Sequence, residues 1–422
     1  MKILHVNTSE AGGAAKAVIR LQEALIQSNV DSKMLVLYKY HSNKEHIYSF
    51  QNNRLSLFQK LKYSLHYRWD NFFKSQKLRH KNRNYERFSF PNTIYDLTSH
   101  PLVQEADIIH LHWVAGFLDY HTFFKKINKP LVWTLHDLNP FNGGFHYKRD
   151  YLENQIDFYK LDRDIRKIKQ NALLKLENLT VVNLSSWIYK LSTGSDILGR
   201  FKHKFIPNGL DMEVFKKINR QSARRILNLP ENKKIILFIA DAINNKRKGF
   251  QYLSHALSLM PHEDLLLVVV GQGSTDSSPI PTQVLNFITD DHLLATVYSA
   301  ADICVIPSIE DNLPNTVLES MACETPVIGF QVGGIPDMIK PNKTGLLAKA
   351  FDEKDLAAKI KYLLEDEEFR RILGKNARLL AETEYNIHIQ SAKYIELYEE
   401  ILKTSPTKPT IFNKHLTDYW YT

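Results

Sequence analysis

The chain has 422 residues, 44 % of them hydrophobic, a formal net charge of +9 and two cysteines. That length exceeds one comfortable core and predicts two domains of roughly 200 residues each. The longest apolar strings, such as 265–270, are strand-sized and exclude a bilayer-spanning helix, which needs about 18 apolar residues in a row. Cys304 and Cys323 are too few for a disulfide framework or a thiolate metal site. The positive charge favours an anionic partner, whether nucleic acid, an acidic membrane surface or a nucleoside diphosphate.

The opening MKILHVNTSEAGG meets polar residues too soon for a signal peptide, which implies a cytoplasmic protein. Residues 2–7 read as a strand. Gly12 and Gly13 turn it into a helix with Val18, Leu21, Ala24 and Leu25 at helical spacing. One Gly-Gly pair fits a tight turn or a backbone approaching a phosphate or sugar. A second strand spans 34–38. The segment 54–87 is basic with interleaved aromatics, and Leu55, Phe58, Leu61, Leu65, Trp69, Phe72 and Phe73 fit one helical face. Three readings stand: a helix packed on its own domain, contact with an anionic membrane or lipid-linked acceptor, or nucleic-acid binding; no nucleic-acid motif accompanies the charge.

Strands at 107–111 and 131–135 end in His112 and His136, aimed at the same carboxyl edge. His110 and His112 share a strand face, but no nearby carboxylate completes a metal motif. A strand at 179–184 closes the first half, and Pro207-Asn208-Gly209 supplies the turn chemistry of an interdomain hinge. The second half restarts the pattern: a strand at 234–240, the basic loop 244–249 with Arg247 and Lys248, then a helix. Cations at a strand's end before a helix suit a pyrophosphate. Strands follow at 265–270 and 284–288, with a short helix opened by Asp290.

The stretch 300–340 is the centre of the reading. Strand 303–306, an acidic loop, a helix opened by Asn312-Leu313-Pro314, a strand at 327–329 and the Gly333-Gly334 loop form one βαβ unit. Its polar residues gather at the strands' carboxyl ends, the edge at which open α/β sheets bind ligands. Free amides of Asn315 and Thr316 at the helix start, just after Pro314, suit a phosphate, and Asp311 and Glu319 suit sugar or ribose hydroxyls. Helices at 352–364, 367–380 and 387–402 complete the chain. Alternating strands and helices in both halves predict an α/β protein of two parallel-sheet domains facing each other across a cleft.

Asp311 and Glu319, seven residues between them, with the continuation Met321-Ala322-Cys323-x-x-Pro326-Val327, resemble the donor-site motif of the family 4 glycosyltransferases. The resemblance spans essentially the whole chain and is strongest from 205 to 401. It implies the GT-B fold: two Rossmann-like domains, 1–205 on the acceptor side and 206–385 for the nucleotide sugar, with 386–422 as a helix crossing back to the first domain and a tail. It also implies a retaining, metal-independent hexosyltransferase without cofactor, using a nucleotide diphosphate sugar and a glycan or lipid-linked acceptor in surface polysaccharide synthesis. Glu319 matches the motif's second acid; at the first the chain has Asp311 in place of Glu, with Glu310 one position earlier. Lys248 matches the donor-phosphate lysine, and Arg247 or Lys246 stands in for an absent upstream arginine. His136 is similar to the histidine beside the donor sugar, Gly12-Gly13 to the loop over the phosphate, Ile288 to the backbone against the base, and 142–147 to an acceptor-side loop. The alternatives are a sugar-nucleotide 2-epimerase of the same fold and a non-catalytic anion- or nucleic-acid-binding protein. A cytoplasmic location, peripheral at the inner membrane face through 54–87, goes with the first reading.

Overall fold

The computed structural model describes residues 1–40, 44–50, 57–81, 84–261 and 263–404. Among these, two all-parallel sheets organise the chain. The first contains β1 (Lys2–Ser9), β2 (Asp31–Tyr38), β3 (Ile47–Ser49), β4 (Ile108–Leu111), β5 (Leu131–Leu135), β6 (Leu179–Asn183) and β7 (Lys202–Phe205), in the spatial order β3-β2-β1-β4-β5-β6-β7. The second contains β8 (Lys234–Ala242), β9 (Leu265–Gln272), β10 (Thr282–Leu285), β11 (Ile303–Ile306), β12 (Val327–Phe330) and β13 (Gly345–Ala348), in the order β10-β9-β8-β11-β12-β13. In each sheet the order reverses beside the first strand, β1 next to β4 and β8 next to β11. Such a reversal leaves a crevice at the carboxyl edge. These are the two Rossmann-like domains expected from the alternation of elements.

The strands are continuous apolar runs because helices cover both faces of each sheet. In the first domain Trp133 and Phe117 lie in the core on one face, while Met34 and Val36 pack with Val18 and Ile19 on the other. The second domain buries Ile236, Phe238 and Val305 on one side and Leu237, Cys304 and Met321 on the other. The helix Ile387–Thr404 crosses back to the first domain, where Tyr394, Leu397 and Tyr398 pack on Ile3, Leu21, Leu25 and Val132.

Two local expectations shift. The strand read at 284–288 is instead β10, paired Thr282 to Leu267 through Leu285 to Val270. Its neighbour β9 bends at Gly271, φ 140°, so residues beyond Leu285 lose the partner that would extend the ladder. The helix Leu57–Leu78 exists, but Leu65, Trp69, Phe72 and Phe73 are each at least half exposed. Its aromatic face therefore stacks on itself, Trp69 against Phe73, and is not packed into the domain core. Leu55 lies outside the described residues, as do the side chains of Phe58 and Leu61 and the tail from 405 onward.

Candidate functional site

The two carboxyl edges face each other across a cavity of about 610 Å³, lined by Gly12, Gly13, Lys16, His136, Arg247, Lys248, Ile288, Asp311, Pro314, Asn315, Thr316 and Glu319 among others. The site residues read from the sequence line this cavity, except that Glu310 and Lys246, the alternatives to Asp311 and Arg247, line a second one. The positions span both domains, so proximity follows from how the sheets face each other.

The helix Asn315–Ala322 begins at the cavity, and its N-cap residue Pro314 supplies no side-chain hydrogen bond. The Val317 N–H donates to the Pro314 carbonyl, and the amides of Asn315 and Thr316 are left as donors, with the positive end of the helix dipole behind them. Lys248 comes from the end of a 3₁₀ turn, Lys246–Lys248, whose cap Gly249 has φ 76°; a side chain there would strike the Pro307 carbonyl. Its Nζ donates to Asp311 Oδ2 at 2.7 Å, and Arg247 Nη1 donates to the same oxygen at 3.2 Å. Burial alone would raise the Asp311 carboxyl, but the two cations pull it below its usual range. It is a carboxylate at neutral pH, an acceptor only.

Arg247 lines the cavity yet is largely committed elsewhere. Its Nε donates to Glu86 at 2.6 Å and its guanidinium lies 4.2 Å from the centre of the Tyr147 ring, both in the first domain. Arg247 thus ties the domains together, and Lys248 is the more available cation. The two candidate first acids separate cleanly. Both oxygens of Glu310 accept backbone N–H groups, from Lys148 at 2.9 Å and Arg149 at 3.0 Å, at the start of the helix Lys148–Leu173. Glu310 lines a second cavity behind Arg247, whereas Asp311 lines the main one.

Glu319 is 3 % exposed; its Oε2 accepts from Tyr298 Oη and its Oε1 from Arg20 Nη2, both at 2.9 Å. Arg20 also donates to Asp291 Oδ2 at 2.9 Å. Arg20, Asp291 and Tyr298 were not legible as site residues. The signal was a lone arginine inside the apolar helical run AAKAVIRLQEAL, but periodicity alone does not say that its neighbour is the other domain. Asn312 is a further bridging residue: its Nδ2 donates to the Leu135 carbonyl at 3.0 Å and its Oδ1 accepts from Ser185 Oγ at 2.6 Å. The Gly333-Gly334 loop proves to be a packing device, since a side chain at either position would lie 1.9 Å from the carbonyl of Asp311 or Asn312.

His136 closes the opposite wall, at the end of β5. Burial pulls its pKa down to about 4, with Asp137 only partly offsetting, so the ring is neutral at pH 7. Asp137 itself is bonded to His146 Nδ1 (2.6 Å) and Trp113 Nε1 (2.7 Å), and holds the loop. Among the described residues His5, His110 and His112 are the one trio placed to offer a metal three ligand atoms. Both His110 nitrogens are already bonded at 2.7 Å, to Tyr398 Oη and Thr134 Oγ1, and His112 bonds His5 and His136. The trio is a hydrogen-bonded network.

A cleft between two Rossmann-like domains, with a helix start, a lysine and two acids on one wall, is the GT-B architecture. Residues 219–380 match the family model described as glycosyl transferases group 1. It is 25 % identical over 321 residues to a D-inositol 3-phosphate glycosyltransferase of Corynebacterium jeikeium, covering 70 % of this chain and 72 % of that one. It is 28 % identical over 339 residues to an N-acetyl-alpha-D-glucosaminyl L-malate synthase of Bacillus anthracis, covering 76 % and 82 %. The fold is similar to that of a sucrose-phosphate synthase from Thermosynechococcus elongatus, with a TM-score of 0.69 and 22 % identity over 96 % of this chain and 100 % of that one.

Proposed function

We propose that this glycosyltransferase moves a hexose from a nucleoside diphosphate sugar to a hydroxyl of a glycan or lipid-linked acceptor in surface polysaccharide synthesis, with retained anomeric configuration and no metal ion. One observation carries the reading: Lys248, Glu319 and the uncapped helix start at Asn315 share one cavity, with His136 on its far wall. In the reaction the bond from the anomeric carbon to the diphosphate oxygen breaks and a bond to the acceptor oxygen forms. Negative charge grows on the leaving diphosphate, where Lys248 and the helix amides lower its energy; such preorganised donors are worth several kcal/mol. Glu319 holds the ribose hydroxyls, Asp311 and His136 the donor sugar, Ile288 flanks the base, and the Gly12-Gly13 backbone closes over the phosphate.

The exposed aromatic face of the helix Leu57–Leu78, set among lysines and arginines, supports peripheral contact with an anionic membrane surface at the cytoplasmic side. Among the described residues no helix is long and apolar enough to cross a membrane. A panel of nucleotide sugars screened by thermal unfolding identifies the donor, since a ligand at 100 times its Kd adds roughly 2.7 kcal/mol. With that donor, transfer collapses in Lys248→Ala and Glu319→Gln while both variants stay folded. Unchanged turnover in both overturns the proposal, and conversion of the donor without any acceptor replaces it with the epimerase.

A further inference from the structure

His136 does not stand alone at the cavity wall. Its Nε2 lies 3.2 Å from His112 Nδ1, and His112 Nε2 lies 2.9 Å from Nδ1 of His5. The three rings come from the adjacent strands β1, β4 and β5, and form a line that runs from the cleft into the core. His5 and His112 are 0 % and 3 % exposed. The line ends at His5 Nε2, a buried atom without a hydrogen-bond partner.

That dead end gives the line a direction. Burial lowers the pKa of all three rings, so each is neutral and carries one N–H. Were the His5 proton on Nε2, a buried N–H would have no acceptor, the costlier and rarer kind of orphan. With the proton on Nδ1, His5 donates to His112 Nε2 and only a lone pair is left unpaired. His112 must then carry its proton on Nδ1 and donate to His136 Nε2. His136 is left with its proton on Nδ1, the free nitrogen of a half-buried ring that lines the cavity. His110, its ring centre 4.0 Å from that of His112 and tilted 35° to it, bonds only hydroxyls, which both donate and accept, and leaves this direction unaltered.

We infer that His112, with its polarity set by the unpaired end of His5, is a positioning residue that holds His136 as an N–H donor towards the donor sugar. The inference rests on the reading of the cavity as a sugar site. It supplies a complementary pair: an N–H from one domain, the Asp311 carboxylate from the other. A hydroxyl between them is satisfied both as acceptor and as donor. The family resemblance places a histidine near the sugar; the fixed tautomer and the ring that fixes it follow from the geometry of β1, β4 and β5.

The test is 15N–1H spectroscopy of the full chain labelled at histidine nitrogens, with the ring signals lost in His136→Gln assigning that residue. The wild type is expected to show a protonated Nδ1 and an unprotonated Nε2 at His136. In His112→Leu the fixed Nδ1–H is lost in favour of a tautomer mixture, and His112→Gln, whose amide can donate in its place, restores it. In turnover, His112→Leu raises the donor KM about 3- to 10-fold, the worth of one neutral hydrogen bond, and His112→Gln recovers it. A proton on Nε2 of His136 in the wild type, an unchanged tautomer in His112→Leu, or a stoichiometric metal ion bound by the untagged protein would overturn the inference. The spectrum needs no substrate, so a correct tautomer in a protein without sugar transfer sinks the functional reading and leaves the relay standing.

Discussion

Lys169 lies in the helix Lys148–Leu173, is 1 % exposed and, among the described residues, has no carboxylate within ion-pair distance. Its Nζ donates to the carbonyls of Asn139 and Gly143, pinning the loop that follows His136 and Asp137. Burial drags its pKa from 10.5 down to about 7, with Asp137 and Asp162 opposing. The folded state therefore gives up this proton near pH 7, while the unfolded chain keeps it to about 10.5. Between those values the unfolded state binds more protons, so this group's contribution to stability rises with pH and is lost as pH falls towards 7. Relative to Lys169→Met, the wild type should gain stability from pH 7 to 9.5, by roughly 1 kcal/mol per pH unit. Thermal unfolding of the two proteins across that range checks it; parallel curves refute it. Nothing in the sequence marks Lys169, because one lysine in a 26-residue helix with many charges looks like any solvated neighbour until the packing is known.

The glycine loop between β1 and the helix Gly13–Gln27 separates two roles within one element. Gly12 has φ 96°, and an added Cβ there would meet nothing within 4 Å, so the cost of Gly12→Ala is backbone strain of about 1–3 kcal/mol. Gly13 begins the helix and its missing Cβ likewise faces open space in the cleft. Gly13→Ala should therefore leave the unfolding temperature unchanged or slightly raised, since alanine favours the helix and shrinks the unfolded ensemble. If the loop closes over the donor phosphate as proposed, the same methyl group protrudes into its site and donor KM should rise several-fold. A KM unaffected by Gly13→Ala would remove this loop from the donor site. Elements of this kind were legible because strand and helix periods are carried by apolar residues at fixed spacing. The edges of sheets were less so: β3, with three residues, and β7, with only intermediate and exposed side chains, lack that pattern and exist because a neighbouring strand offers a ladder. The aromatic stripe of the helix Leu57–Leu78 was legible as a stripe, but sequence alone does not distinguish a face that meets the core from one that meets something else.

At the scale of the whole molecule, closure of the cleft is built from polar bridges that no single stretch of sequence contains. Asn312 grips the end of β5, Glu310 caps the helix Lys148–Leu173, Ser186 donates to Asp337, and Arg247 pairs with Glu86. Among the described residues the most buried ion pair between the domains is Arg20 to Glu319, at 9 % and 3 % side-chain exposure. It joins the first domain to the carboxylate assigned to the ribose. A carboxylate has about four acceptor positions, so Arg20 and Tyr298 leave room for ribose hydroxyls while fixing the direction of the remaining lone pairs. Removing the arginine does two things at once: it releases a bridge between domains and leaves a buried carboxylate without its cation. Breaking a buried pair from one side typically costs about 3–5 kcal/mol, most of it from the stranded charge. A hinged molecule can relieve that cost by opening, because an open cleft hydrates Glu319. Arg20→Ala should thus shift the molecule towards an open form, seen as a larger radius of gyration in small-angle scattering, and weaken donor binding by at least tenfold. Arg20→Ala with Glu319→Gln should recover compactness, since the neutral amide needs no cation, but not turnover. If Arg20→Ala stays as compact as the wild type with equal donor affinity, the bridge is incidental and closure rests on the other polar bridges.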